Sequence, residues 1–444
     1  MKSHGTTPEK ATGLEVTLRS FRHRNYRLFF GGQSISLIGT WMQRIAVRWL
    51  IYRITDSAFL LGVVGFASEI PILFLTPYAG VLADKLNRRR ILVVTQTLSM
   101  IQALILAVLV LTGTVAVWHI VCLSVFLGVV NAFDMPARHS FLIEMVEKRE
   151  DLGNAIALNS SMVNGTQLIG PSIAGLLIAS IGEGMCFLLN GVSYIAVILS
   201  LFAMKITPRK IETSRVHGLK SLQEGFFYSF RFMPIRSVLL LIALISIMGW
   251  PYISLMPVFA RDILHGGPHI LGFLMAGSGA GALIGAIYLA SRRSVVGLEK
   301  WISIAASIFG VGLIAFSLSR VFWFSFSLML MNGFGLMLQH ASSNTFVQTV
   351  VDEDKRGRVM SLYVIAMRGM VPFGSLLYGT LAAKIGAPNT FMIGGASCIL
   401  ASLLFAKQLP LLREMVRPIY VKMGLASGGP AETPSSAKLG APKD

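Results

Sequence analysis

Three arginines and one glutamate stand inside apolar runs, where an ionised side chain costs about 3 kcal/mol on insertion scales. Glu69 lies eight residues into the run that begins at Leu61. Arg48 and Arg44 lie six and ten residues before Ile54, in the run that precedes it. At helical rise these depths are about 12, 9 and 15 Å, which places Glu69 between the two arginines. Their i, i+4 spacing puts Arg44 and Arg48 on one helix face, so an Arg–Glu–Arg cluster across two antiparallel helices is expected. It has two readings: a carboxylate that takes up and releases protons beside arginines, or a permanent ion pair fastening two helices.

Arg368 lies near the middle of a late apolar run, between Met367 and Gly369. It either faces a cavity, where it would attract an anionic or polar group, or pairs with a neighbouring helix. Asn159, Asn164 and Gln167 in one run, and Asn332, Gln339, His340 and Asn344 in another, are the remaining polar candidates for a cavity wall. Interhelical hydrogen bonding accounts for many such residues. A lone histidine, His340, makes no metal site, and His265 and His269 are separated by Gly-Gly-Pro, which rules out a helical ligand pair. No metal or cofactor is therefore expected. Cys122, Cys186 and Cys398 all fall inside apolar runs and read as small packing residues, not as a disulfide framework.

The elements that position these groups follow from composition. With 54% hydrophobic residues, 14% charged residues and a mean hydropathy of +0.67, the chain is too apolar for a soluble domain. Runs of about 20 apolar residues cross a bilayer as helices. They fall at about 28–54, 61–83, 90–112, 117–136, 152–181, 184–204, 237–261, 269–291, 301–319, 321–348, 357–384 and 388–409. The chain is thus expected to be an all-α polytopic membrane protein with twelve transmembrane helices. With the N-terminus inside, the inner segments hold 32 of the 39 lysines and arginines and the outer loops hold 4. That split is the positive-inside bias. It places both termini in the cytoplasm, and it explains the net charge of +18 without nucleic acid. The segment 1–27 has no apolar core of a signal peptide and reads as a cytoplasmic lead-in. The segment 205–236 reads as a long, cation-rich inner loop between two six-helix halves, 28–204 and 237–409. Residues 410–444 read as a cytoplasmic tail, disordered from about 424.

The halves repeat each other. At an offset of 204, Gly153, Gly170, Gly175, Gly182 and Gly191 fall on Gly357, Gly374, Gly379, Gly386 and Gly395. At 205, Gly128 falls on Gly333. Glycines in register across two parallel six-helix units mark an internal pseudo-repeat, a transporter architecture whose site lies near mid-membrane between the units. The basic hairpin Gly80-Val-Leu-Ala-Asp84-Lys-Leu-Asn-Arg88-Arg89-Arg90 between the second and third runs has a degraded second copy. Gly285 and Arg292-Arg293 remain there, but no acid stands where Asp84 would be. In the fifth run, Gly165-Thr-Gln-Leu-Ile-Gly170-Pro171-Ser-Ile-Ala-Gly175 combines small residues, which permit close helix approach, with a proline that can bend the helix.

The hairpin pattern G-x-L-A-D-x-x-x-R-R resembles the signature of the major facilitator superfamily, departing from it at Asn87, where the family usually has Gly. The fifth run is similar to that superfamily's antiporter motif, with Ala174 in place of one Gly. Together with Phe21-Arg-His-Arg-Asn-Tyr-Arg-Leu-Phe-Phe30, Gly39-Thr-Trp-Met-Gln43 and Asp134-Met-Pro-Ala-Arg138, these stretches resemble the bacterial branch of enterobactin exporter-like and macrolide-efflux-like proteins, the transmembrane secretion effectors. The resemblance spans about residues 20–410. It implies the major facilitator fold, a monomer in a bacterial inner membrane, and proton-coupled efflux of an amphipathic small molecule. A lysophospholipid flippase or an importer of the same fold is the rival reading, and a membrane-embedded enzyme the reading from another class. The resemblance also implies an inner latch in the outward-open state, built from Gly80, Asp84, Arg88, Arg89 and Asp134. The superfamily's proton-linked arginine is missing from the fourth run, which leaves Glu69 with Arg44 as the candidate substitute.

Overall fold

The structure, a computed structural model, describes residues 19–146, 149–205, 219–292 and 294–424; the side chains of Asp84, Arg149 and residues 219–224 lie outside the described set. Thirteen helices follow in chain order. They are α1 (Arg24–Thr55), α2 (Ala58–Lys85), α3 (Arg88–Leu111), α4 (Val117–Leu142), α5 (Leu152–Ile181), α6 (Glu183–Ala203) and α7 (Leu219–Arg231). They continue with α8 (Met233–Ile263), α9 (Pro268–Ala290), α10 (Leu298–Leu318), α11 (Phe322–Val350), α12 (Arg356–Ile385) and α13 (Ala387–Lys422). Eleven of them are long and apolar enough to cross a membrane. The twelfth, α1, has 32 residues, but Gln33, Gln43, Arg44 and Arg48 dilute its apolar character. The most polar crossing helix is the one that carries two of the candidate arginines.

Packing repeats between two sets of six. In the first set α1 packs on α5 and α6, α2 on α4, and α3 on α4 and α6. In the second set α8 packs on α12 and α13, α9 on α11, and α10 on α11 and α13. Each pair in one set has its counterpart in the other. Inside the first set, a buried amide relay crosses three helices. Asn190 of α6 donates to Gln43 Oε1 (2.6 Å), and Gln43 Nε2 donates to Gln102 of α3 (2.8 Å).

Two helix pairs make the most extensive contacts between the sets, α2 with α12 and α5 with α9, and both do so backbone to backbone. A Cβ on Gly62 would lie 2.6 Å from the Ser375 carbonyl oxygen and 2.8 Å from Gly379 Cα. A Cβ on Gly272 would lie 2.6 Å from the Pro171 carbonyl oxygen and 2.8 Å from Gly175 Cα. Glycine is the residue that lets two helix backbones approach this closely. Both crossings lie toward the end of the bundle opposite the basic hairpin.

Local chemistry explains where the expected boundaries move. Asn87, the departure from the hairpin pattern, caps α3 by accepting from the Arg90 amide (3.2 Å). The seventh crossing helix does not stay α-helical. Past Gly249 it tightens to a 3₁₀ turn at Trp250–Leu255 and ends in a π turn at Phe259–Ile263. Pro251 and Pro257 remove backbone donors there. The last helix runs to Lys422, past the expected stop near 409, because Leu412, Val416 and Tyr420 are buried and Arg413 pairs with Glu299 (3.0 Å). The inner loop contains a helix that sequence periodicity left unread, α7. Tyr228 of α7 donates to Asp352 (3.2 Å), and Lys355 lies over the Tyr228 ring, 4.5 Å from its centroid. Lys355 also donates to Asp352 and holds that carboxyl below its ordinary range.

Two outcomes test this packing. Gln43→Leu leaves the Asn190 and Gln102 amides without their shared partner, and it is expected to cost about 1–3 kcal/mol. A lowered melting temperature of the full chain in detergent reads that loss, and Asn190→Leu added to it should cost little more. Gly272→Val places methyl groups against backbone on α5 and forces that crossing apart. A Cys introduced at buried Ser375 should then react with maleimide, whereas the same Cys on the native background should stay protected.

Candidate functional site

Between the two sets, at the basic end, lies a crevice of about 470 Å³, within the size range of small-molecule sites. Its walls come from α2 (Glu69, Leu73, Thr76, Gly80), α4 (Met135, Pro136) and α12 (Gly357, Met360, Arg368). The glycines on this side do not serve close packing. A Cβ on Gly80 or Gly357 would meet nothing within 4 Å. Behind the crevice sits a smaller polar space of about 70 Å³, lined by Arg44, Arg48, Gln43, Ser68, Gln102, Asn131, Asn190 and Tyr194. Glu69 lines both spaces and is the group at which they meet.

Glu69, Arg44 and Arg48, read from the sequence as one cluster, line the same polar space. Their relation is looser than an ion pair: among the described residues, no hydrogen bond or ion pair joins Glu69 to either arginine. Arg44 lies over the Trp41 ring, 5.0 Å from its centroid. The Arg48 Nη1 atom is buried without a hydrogen-bond partner. Arg368 is held in a π turn, Ile365–Gly369. Pro372 has no N–H to return to the Arg368 carbonyl, so the α-helical ladder is interrupted there. Such π turns recur at functional positions. The guanidinium lies 5.7 Å from the centroid of Trp250, which also stands edge-on to His340 at 5.4 Å.

Other expected wall residues are placed elsewhere. Asn332 is fully buried against α10, where a Cβ on Gly312 would lie 2.0 Å from its Oδ1. Gln339 is buried and donates to Ser343 (3.1 Å). His340 holds the Leu336 carbonyl through Nδ1 (3.0 Å), and its Nε2 is buried without a partner. Asn344 accepts from Gln348 (2.9 Å). Asn159, Asn164 and Gln167 line neither of the two spaces. Gln167 instead belongs to the α5–α9 contact, its carbonyl 3.0 Å from where a Gly279 Cβ would be. Of the antiporter-like motif, Gly170 admits Trp41, while Pro171 and Gly175 form the crossing with α9; Gly165 faces open space.

The hairpin residues also have definite partners. Arg88 donates to Glu144 (2.6 Å) and to the Ala83 carbonyl (3.3 Å), and Arg89 donates to the Phe202 carbonyl (3.0 Å). Asp134 is buried and accepts from Thr95 (2.9 Å), from Gln96 (2.7 Å) and from Arg138 one turn along its own helix. In this arrangement Asp134 thus ties α4 to α3, and among the described residues Glu144 is an acid that meets the hairpin. The expected Asp84 contact falls on a side chain outside the described residues.

Sequence reasoning missed the closure of the opposite end. Tyr52 of α1 donates to Asp262, and Arg261 donates to Asp56. Both links join the first set to the π turn that ends α8. It also passed over Trp250, the aromatic partner of Arg368. The Gly62–Gly379 crossing did leave a signal, because Gly379 is the repeat partner of Gly175, which makes the other crossing.

The sequence profile of the transmembrane secretion effector family matches residues 15–417. The chain is 28% identical over 384 residues to the staphyloferrin A transporter of Staphylococcus aureus, covering 85% of this chain and 95% of that one. It is 25% identical to the multidrug efflux pump Tap of Mycolicibacterium fortuitum, covering 84% and 92%. The fold resembles the crystal structure of a bacterial homologue of the human lysosomal transporter Spinster, with a TM-score of 0.64 at 14% identity over 96% of this chain and all of that one. Twelve long helices in two packed sets, a crevice between them and the matched profile agree: the chain belongs to the transmembrane secretion effector family of major facilitator transporters.

Proposed function

We propose that the protein exports an amphipathic small molecule from a bacterial cytoplasm by alternating access, powered by the proton-motive force. The observation that carries this reading is the asymmetry of the bundle. Two glycine crossings and the Tyr52–Asp262 and Arg261–Asp56 links close one end, while the crevice lies at the other. The cation excess at the crevice end supports a cytoplasmic position for it, which makes this the inward-facing arrangement. Relatives named for multidrug efflux support the outward direction.

In this reading the segments 28–204 and 237–409 rock against each other about α2–α12 and α5–α9, within a single chain. The crossings part as the crevice closes. In the outward-open state Asp84, Arg88, Arg89 and Asp134 then form the inner latch. Glu69 is the coupling carboxylate, because it stands where the crevice meets the arginine-lined space and is not locked into an ion pair. The tail from 410 and the loop 205–236 stay on the cytoplasmic side.

Everted vesicles test the assignment. Addition of siderophores, macrolides, dyes or lysolipids, one class at a time, should give proton movement with the exported class alone. Glu69→Gln should reduce that movement to the level of vesicles without the protein at equal expression. Full proton-coupled efflux in Glu69→Gln would remove Glu69 from coupling, and accumulation driven into intact cells would make the protein an importer.

A further inference from the structure

The charges around the two spaces do not balance. Arg44, Arg48 and Arg368 supply three cations and Glu69 one carboxylate. Arginine keeps its charge in proteins. The next carboxylate on these helices, Asp134, is already engaged by Arg138, Thr95 and Gln96. The partners the arginines do have are aromatic faces, Trp41 for Arg44 and Trp250 for Arg368, and these hold a cation weakly when it is solvated. Arg48 points a buried nitrogen at no acceptor. While the crevice is open, water screens this excess. Closing it expels water, and an unpaired buried cation is then strongly unfavourable.

We infer that the molecule carried through this crevice is an anion bearing carboxylate- or phosphate-type groups, which Arg48 and Arg368 bind in place of the missing counter-charge. The inference rests on reading the crevice as the cargo path. The guanidinium fork suits such groups because it donates two parallel hydrogen bonds to them. Cargo of this class completes the charge balance only when it is bound, so closure favours the loaded carrier.

Thermal unfolding of the purified full chain in detergent tests this without any transport step. Citrate is the soluble carboxylate probe and dihexanoyl phosphatidic acid the lipid-type phosphate probe. Tetraphenylphosphonium is the cationic control, and sodium chloride matches ionic strength. One of the two anions should raise the melting temperature by several degrees, and which one does so distinguishes a soluble cargo from a lipid. The Arg48→Gln, Arg368→Gln double variant should lose that shift, and without ligand it should melt no lower than the native chain. Arg48→Lys and Arg368→Lys keep the charge but lose the fork, and they should retain only part of that shift. A shift with the cation alone, no shift with either anion, or an anion shift undiminished in the double variant would overturn the inference. A double variant that melts lower without ligand would mark the arginines as structural ties and overturn it as well. Export in vesicles without anion binding defeats this inference alone; anion binding without export defeats the export reading alone.

Discussion

The arrangement depends on two places where helix backbones touch with no side chain between them. At Gly62 against Ser375 and Gly379, and at Gly272 against Pro171 and Gly175, an added methyl group would meet backbone atoms under 3 Å away. In lipid there is no hydrophobic drive to press helices together, so association relies on close packing of this kind. Because the two crossings link equivalent pairs of elements under the internal repeat, they form a symmetric line of contact. The crevice at the basic end exists because the helices diverge from that line. Where they diverge, glycines such as Gly80 and Gly357 face open space, although the sequence pattern gives them the same appearance as the packed ones.

Around that symmetric frame the chemistry is unequal. The first six helices contribute Glu69, Arg44 and Arg48, and tie Arg44's helix to its neighbours through the Gln43 amide relay. The second six contribute Arg368, Trp250 and His340, on elements that depart from α-helical geometry. The π turn at Arg368 and the 3₁₀ turn that begins at Trp250 lie opposite each other, and each has a proline within four residues. A broken ladder costs hydrogen bonds that lipid cannot replace, so it is tolerated where the backbone is buried in protein or lines a cavity. The break at Arg368 therefore coincides with a side chain that lines the crevice, and the break at Trp250 supplies the ring over which that side chain lies.

Much of this was legible in the sequence, for reasons that differ from residue to residue. The twelve crossings, the repeat and the depth of Glu69 between its arginines follow from helical rise and the cost of charge in lipid, which act residue by residue. The crossing at Gly175 was legible as a motif, and its partner at Gly379 as its repeat. The placement of Asn332 and Gln339 was not. A polar residue in a span satisfies its hydrogen bonds equally well at a helix contact or at a cavity, and only the packing decides which. Arg88 meeting Glu144, and α13 running through Pro410 to Lys422, depend on partners far away in sequence. The amphipathic α7 was hidden because a short helix amid cations reads as a basic loop.

The sign of the unbalanced charge bears on energetics as well as on binding. On the inference that the cargo is an anion, a cavity with three arginines and one glutamate resists closing when empty and relaxes when the anion enters, which ties the conformational cycle to occupancy. Across a membrane that is negative inside, an anion moving outward travels with the field, and each elementary charge gains about 2.3 kcal/mol per 100 mV. A cation moving outward on the same path pays that amount and meets the arginines as well. The missing proton-linked arginine in the fourth helix is then less of a puzzle. When the cargo's own charge lets the membrane potential contribute, a carrier has less need of a dedicated proton relay.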